Sequence, residues 1–476
     1  MKLNQALSRP AFITLFSILI FLNTNGCQPQ DAKSPGPSAT PTNHPREVTA
    51  DSELEEASIV FYNGVILTME NESTASAIAI KNESILAVGS NSDIIAYAGP
   101  NTTQVDLEGR TLMPGFVDAH SHIFNNPWRE DLEGGQTYLL SNGITTSADM
   151  FVEESLIQEM RALDQAGKLR MRISLYPLYS DNCGDFRGEW FMENYPVSRQ
   201  PGTLLQIPGV KLFNDGGSCN APAVSYQFKG GIGQGNLYYS SDEMAEMVIS
   251  AMENGYQVAI HGLGDRAIET NLDAIEKALA GGPNLLHHRI DHNAVLRDDL
   301  LPRYSEVGAV AVIFGHFPTC IFLGDTSRFK YFPPDEYLDW EWRWRDLIDA
   351  NPELHIAWHS DTPISIGPYP LEHLQSFVTR IQYREDGTVC EPPEWAADDL
   401  LSVAEALPIM TYGGAYALQR EDEIGSLAPG KLADLIILSD NPFEVNPRKI
   451  AEIQVLMTMV GGQVEYCSEG QQTFCP

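Results

Sequence analysis

The sequence predicts an α/β fold: a (β/α)8 TIM barrel with a small β-sandwich built from both chain ends. Two observations carry this expectation. Over residues 113–413, short apolar runs alternate with amphipathic helical patterns, the arrangement that parallel sheets require. Before and after that interval the pattern changes to strand-like runs broken by Asn-Gly and Gly-Gly turns. A chain of 476 residues with 43% hydrophobic content has ample material for such a core.

The chain opens with Lys2 and Arg9 around an apolar run, Ala11 to Leu22, too short for a secure membrane span. Gly26 and Cys27 follow, resembling a bacterial lipoprotein signal over residues 1–27 in which Cys27 is lipidated, although Thr24 stands where that pattern usually has Leu. A conventional secretory signal and an uncleaved anchor are the alternatives. Residues 28–58, rich in Pro, Ser, Thr and charge, read as a disordered linker. The lipoprotein reading places the protein in the bacterial cell envelope, held to a membrane through its lipid anchor only. Gln28 after the cysteine favours the outer membrane.

Residues 59–112 and 414–466 are assigned to the sandwich, 113–413 to the barrel and 467–476 to a tail. Eight buried strands are expected within TLMPGFVDA, GITTSADM, LRMRISLYPL, GVKLF, YQVAIH, HHRIDH, GAVAVIF and HIAWHSD. SSDEMAEMVISAMENG reads as a helix capped by Ser241 and closed by Gly255, with Met244, Met247, Val248, Ala251 and Met252 as its apolar face. DRAIETNLDAIEKALAGG reads as a second amphipathic helix. YLDWEWRWRD is expected to pack a helix onto the barrel or to roof its pocket.

With 30 basic and 64 acidic residues the formal charge is −34, which repels phosphate backbones and excludes nucleic acid as a partner. Six cysteines lie beyond Cys27, without CxxC or zinc-finger spacing. An exported compartment permits disulfides, and Cys467 and Cys475 are close enough to bridge.

The chemistry lies at strand ends. His120 and His122 end strand one, Lys211 lies on strand four, His261 ends strand five, His292 strand six and Asp361 strand eight. Most of their separations fit whole units of roughly 31 residues, and the 50 residues from Lys211 to His261 fit one unit with an extended loop, so all are expected to face the end of the barrel where active sites lie. His120 and His122, two apart, point to one side of their strand and make half a site for a divalent cation. Lys211 is the odd member: an amine within an apolar strand ordinarily snorkels to solvent, but strand counting puts it on the rim that carries the histidines.

PGFVDAHSH, GVKLFNDGG, VAIHGLGDRAI, HRIDH, SDTP and GSLAPGKLADLIIL resemble the amidohydrolase superfamily and, within it, amidohydrolase family 3, the branch that includes N-substituted formamide deformylases. The resemblance implies hydrolysis of an amide or other non-peptide C–N bond by a metal-bound hydroxide. It also implies that His120, His122 and Asp361 hold one metal and His261 and His292 a second, with Lys211 as a bridging carbamate. Two zinc ions per protein molecule follow from it, with Asp361 also the catalytic proton carrier. The partner is a small-molecule amide, and a homo-oligomer is compatible with this reading.

Asp265 and Arg266 are candidates either to orient the surroundings of His261 or to serve as helix N-terminal charges. His316 and His359 face the same rim and are candidates for substrate contact; His287 and His288 read as structural. Relatives often carry an insertion between strands one and four that is largely missing here, so the pocket is expected to differ from the formamide type. A dipeptidase-like or cyclic-amide hydrolase is the alternative reading. A deaminase and a non-catalytic surface binding protein are further ones. The deaminases of the superfamily place a glutamate near the strand-five histidine, where this protein has HGLGD.

Overall fold

The computed structural model describes residues 55–70, 74–125, 131–216, 219–322, 331–363, 369–384 and 386–476. Cys27, the signal segment and nearly all of the linker lie outside the described residues.

Both chain ends contribute to two sheets. A four-stranded sheet runs in the order Ser84–Gly89, Ala77–Lys81, Ile59–Tyr62, Thr103–Asp106. A six-stranded sheet runs Gln463–Cys467, Val455–Val460, Leu435–Leu438, Thr111–Pro114, Val65–Leu67, Thr74–Ala75. Phe61, Ile78 and Val105 of the first share one core with Ile66, Leu112, Ile437 and Met457 of the second. The expectation of one strand across TLMPGFVDA is corrected here. Thr111–Pro114 pairs with Leu435–Leu438 in the six-stranded sheet, and a separate strand starts at Phe116. Pro114 and Gly115 form the break: proline restricts the backbone, and any side chain at Gly115 would collide with Thr145.

The second strand opens the parallel system. We number its members β1 (Phe116–Ser121), β2 (Ile144–Val152), β3 (Arg172–Pro177), β4 (Gly209–Phe213), β5 (Gln257–Gly262), β6 (Arg289–His292), β7 (Val310–Phe314) and β8 (Ile356–His359). β1, β2 and β3 form one parallel sheet, with Leu205–Gln206 beside β3; β4 to β8 form another in sequential order. These strands are buried almost throughout, as strands covered on both faces must be. The sheets meet twice. Leu178 bridges in parallel to Lys211, just past β3. At the other seam Asp361 N donates to His120 O at 3.1 Å and His122 N donates to Thr362 O at 2.7 Å.

The first of two well-signalled helices, α1 (Ser241–Glu253), is capped by Ser240, one residue earlier than expected; Ser240 and Glu243 form a reciprocal capping box. Asn254 is its C-cap, followed by Gly255 at φ 80°. The second, α2 (Asp265–Leu279), ends in left-handed Ala280 and places Asp265 directly after the loop that leaves β5. The aromatic run gives a 3₁₀ turn at Asp335–Trp340 and a helix at Trp344–Ala350.

An ion pair ties the parallel sheets to the terminal ones. Arg172 on β3 donates through Nε and Nη2 to Asp434 at 2.6 and 2.9 Å, and both side chains are buried. Asp434 also accepts from Gly461 N at 2.8 Å. This explains the aspartate of KLADL. Asp434→Ala strands a buried guanidinium and is expected to cost about 3–5 kcal/mol in urea unfolding. A loss below about 1 kcal/mol, the range of exposed pairs, would show that water reaches Arg172.

The loop around Val224, Tyr226 and Phe228 packs on Tyr337, Trp340 and Trp342. At its centre the Tyr226 hydroxyl donates to the Glu341 carboxylate at 2.9 Å. Burial pushes the Glu341 carboxyl up from its ordinary 4.5 to about 8. The folded state therefore favours protonated Glu341. Its contribution is complete below pH 4.5, falls as pH rises from there, and is gone above about 8. Urea midpoints of the wild type should fall relative to Glu341→Gln as pH rises from 4.5 to about 8, and parallel profiles would refute the shift.

Three disulfides join Cys183 to Cys219, Cys320 to Cys390 and Cys467 to Cys475. The last is the pair expected from spacing. The first two join residues 36 and 70 positions apart, which spacing does not reveal.

Candidate metal centre

The ends of β1, β5, β6 and β8 bring five of the predicted residues into one cluster. Donor atoms of His120, His122 and Asp361 lie within 4.8 Å of one another. His120 Nε2 is 3.2 Å and His122 Nε2 3.3 Å from Asp361 Oδ1. The His261 ring lies 4.4 Å from that of His292, which lies 4.7 Å from His120. Asp361 sits two residues beyond the end of β8 in a left-handed backbone, φ 55°, and His292 closes β6 at φ 84°. Non-glycine residues held there mark sites where position matters more than local comfort.

Buried acids fix these positions. Asp118 of β1 accepts from Ser360 Oγ at 2.5 Å and Ser360 N at 3.0 Å, which locks the residue before Asp361 onto β1. Burial pushes the Asp118 carboxyl up to about 7. Asp149 of β2 accepts from Phe124 N at 2.9 Å and from Asn125 Nδ2 at 2.5 Å, and Asn125 Nδ2 lies 3.3 Å from His122 Nδ1. Asp215, just after β4, accepts from Leu263 N, Gly264 N and Ala223 N at 2.8–3.0 Å and so shapes the loop leaving β5.

Lys211 is fully buried, so the solvent-snorkelling alternative is overturned. Its Nζ donates to Asp291 Oδ2 at 2.7 Å, and the same oxygen lies 2.8 Å from His120 Nδ1. Arg289 Nε approaches the other oxygen at 3.1 Å. Burial would raise the Asp291 pKa, but Arg289, Lys211 and His120 hold it well below the usual carboxylate range. Burial lowers the Lys211 pKa, with Asp291 acting against it. Asp291, the aspartate of HRIDH, is absent from the candidates that the sequence suggests. An acidic residue beside a strand-end histidine is the only linear signal of it.

The four other candidates separate. His359, fully buried on β8, joins the cluster: its donor atoms group with those of His292 and Asp361 within 4.8 Å. His316 does not; its Nε2 meets Gln382 Nε2 at 3.3 Å, and burial pushes its pKa down to about 4. Asp265 accepts from Ser225 N at 2.9 Å and from Arg297 Nη1 at 2.9 Å, so it organises the rim loop. Arg266 contributes its backbone N to Ala223 O at 3.1 Å. His287 bonds Tyr416 O and His288 accepts from Val258 N, both structural contacts.

The donor set fits a divalent cation. Burial lowers the pKa of His120, and those of His261, His292 and His359 fall well below the ordinary value, so these imidazoles are neutral, as ligation requires. For Asp361, burial opposes ionisation, but His120 and His122 hold its pKa far below the usual range. Buried nitrogens of His261, His292 and His359 have no hydrogen-bond partner among the described residues. Phe213 stacks on His261 at 5.1 Å and Phe314 lies against His359 at 4.2 Å, giving the cluster an apolar wall.

Residues 129–466 match the model of the amidohydrolase family. This protein belongs to the amidohydrolase family. Its affinity is with family 3, as the motifs implied. It is 27% identical over 273 residues to the amidohydrolase YtcJ of Bacillus subtilis (strain 168), covering 57% of this sequence and 49% of that one. It is 27% identical over 345 residues to an N-substituted formamide deformylase of Arthrobacter pascens, covering 69% and 58% respectively. The protein thus spans about half of the first relative and under two thirds of the second. An uncharacterized metal-dependent hydrolase from Pyrococcus furiosus shares its fold: TM-score 0.67 at 20% identity, over 81% of this sequence and 100% of the other. In this amidohydrolase the α/β fold therefore carries a cluster suited to a divalent metal.

Proposed function

We propose that this amidohydrolase is a metal-dependent enzyme that hydrolyses an amide or other non-peptide C–N bond of a small molecule. One observation carries the reading: His120, His122 and Asp361 converge in a buried cluster beside His261 and His292. We take the two parallel sheets to close into a (β/α)8 barrel, supported by the contacts at both seams. We take the terminal sheets to form a β-sandwich, supported by their common core. The domain boundaries given above belong to the same proposal, except that residues 113–114 move from the barrel to the sandwich, because the strand Thr111–Pro114 pairs within the six-stranded sheet.

In this scheme His120, His122 and Asp361 hold one zinc, and His261 and His292 contribute to a second. Held by these residues, a divalent cation would supply an acidified water and polarisation of the scissile carbonyl. Asp361, held ionised, accepts the proton of the attacking water and passes it to the leaving nitrogen. Asp291 fixes the ring of His120 through Nδ1, leaving Nε2 for ligation. Asp118 and Ser360 keep the Asp361 segment registered against β1. Phe213 and Phe314 keep bulk water from the cluster. Lys211 is the acceptor for carbon dioxide: burial favours the neutral amine that carboxylation needs, and the ion pair with Asp291 must open first.

The test is metal removal. Chelation of the full-length protein should abolish hydrolysis of N-acyl amines, formamides, dipeptides or lactams, and zinc should restore it. It should also lower the thermal midpoint, because a ligand bound only by the folded state stabilises it by about 4 kcal/mol at a thousandfold excess over Kd. Full activity after complete removal would refute the reading. For Lys211, labelled bicarbonate should give a carbamate ¹³C resonance that is missing in Lys211→Ala; an identical spectrum in the variant would refute carboxylation.

We further propose export and lipidation at Cys27. The three disulfides support an oxidising compartment. Palmitate labelling of the wild type but not of Cys27→Ala would be the expected result.

A further inference from the structure

His359 lies deep in the strand system and yet has nothing to bond. Among the described residues it is the one buried histidine with both ring nitrogens unpartnered. Every neutral imidazole carries one donor and one acceptor, and leaving both unsatisfied in a closed interior is costly. Buried His316 has Gln382, and His288 has the Val258 amide. Neither has this double deficit.

The orientation is fixed by β8. The Trp358 indole Nε1 donates to His373 Nδ1 at 2.9 Å, on the face covered by the helix Pro370–Thr379. Alternation along the strand turns His359 to the opposite face, where the cluster lies. Its ring is 5.0 Å from that of His120, 4.8 Å from that of His292 and 4.2 Å from that of Phe314. Its donor atoms, with those of His292 and Asp361, form a second convergent set that shares Asp361 with His120 and His122.

We infer that His359 is a metal ligand, forming with His292 and Asp361 a second cation site joined to the first through Asp361. This rests on the metal-dependent reading above and adds a donor to it. A site made this way satisfies the otherwise empty nitrogens of His359 and explains why a polar ring is buried without partners. It also gives the second cation donors that do not depend on the chemical state of Lys211.

The experiment is zinc and cobalt titration of the metal-free full-length protein, with metal content read by elemental analysis and cobalt binding by visible absorption. Wild type should take up two equivalents, and His359→Ala and His359→Gln one each, with circular dichroism and urea midpoint verifying the fold. His120→Ala serves as the arm for the first site. Two equivalents in folded His359 variants would overturn the inference and leave the proposed function standing. One equivalent in wild type, lost in His120→Ala but kept in the His359 variants, would overturn it likewise. No uptake by wild type would overturn both. Should one variant fail to fold, the other decides; should both fail, His359→Asn takes their place with the same two outcomes, and a wild-type cobalt titration saturating at one equivalent also overturns the second site.

Discussion

Asp361→Asn should reduce turnover by about 10³-fold or more, because one carboxylate has two duties in the proposed mechanism. It faces His120 and His122 at 3.2–3.3 Å and also closes the set with His292 and His359. Asparagine tolerates the left-handed backbone that Asp361 occupies at φ 55°, so the fold should survive the exchange. What is lost is the negative charge, and with it both the charge balance of a cation site and the acceptor for the water proton. Metal content should fall alongside kcat. Measuring both separates the roles: if metal remains at wild-type level while kcat drops, proton transfer is the lost function. Wild-type kcat in Asp361→Asn would exclude Asp361 from the chemistry.

Asp291→Ala should destabilise the fold by about 3–5 kcal/mol, the cost of stranding buried charge. Lys211, Arg289 and His120 all converge on this carboxylate, and Asp291, Lys211 and Arg289 are fully buried. Without it, the buried Arg289 guanidinium and the uncarboxylated Lys211 amine both lose the carboxylate they share. Urea unfolding of Asp291→Ala, of Lys211→Met and of the double variant measures the coupling. The double variant should lose less than the sum of the two single losses, because removing Lys211 leaves less charge uncompensated. Additive losses would mean that the pair does not interact. Asp291→Ala should also weaken metal uptake, since His120 loses the contact that orients its ring.

The residues expected to converge do so because strand order preserves sequence order across the parallel sheets. His120, His122, His261, His292 and Asp361 are legible as a set from their strand-end spacing alone. Lys211 is legible as a residue of β4, but its partner is not. Asp291 lies next to His292 in sequence, and nothing in a linear string says that its carboxylate turns toward a lysine 80 positions earlier. Asp118, in VDAHSH, looks like any strand residue for the same reason. Ser360 meets it across the seam between β8 and β1, a pairing between residues 242 positions apart. The break at Pro114 and Gly115 is hidden because the run on either side is uniformly apolar, and strands of two different sheets can be consecutive in sequence.

Hydrophobic period and punctuation thus established where strands and helices lie, and residue type established which of them carry metal-seeking side chains. Those properties are local, set by backbone preference and by the chemistry of single residues. Which acid faces which base, and whether His359 points to the cluster or to a covering helix, are set by register between strands and by alternation of side chains across a sheet. A one-residue shift in either would exchange the two faces, so these relations exist only once the strands have paired.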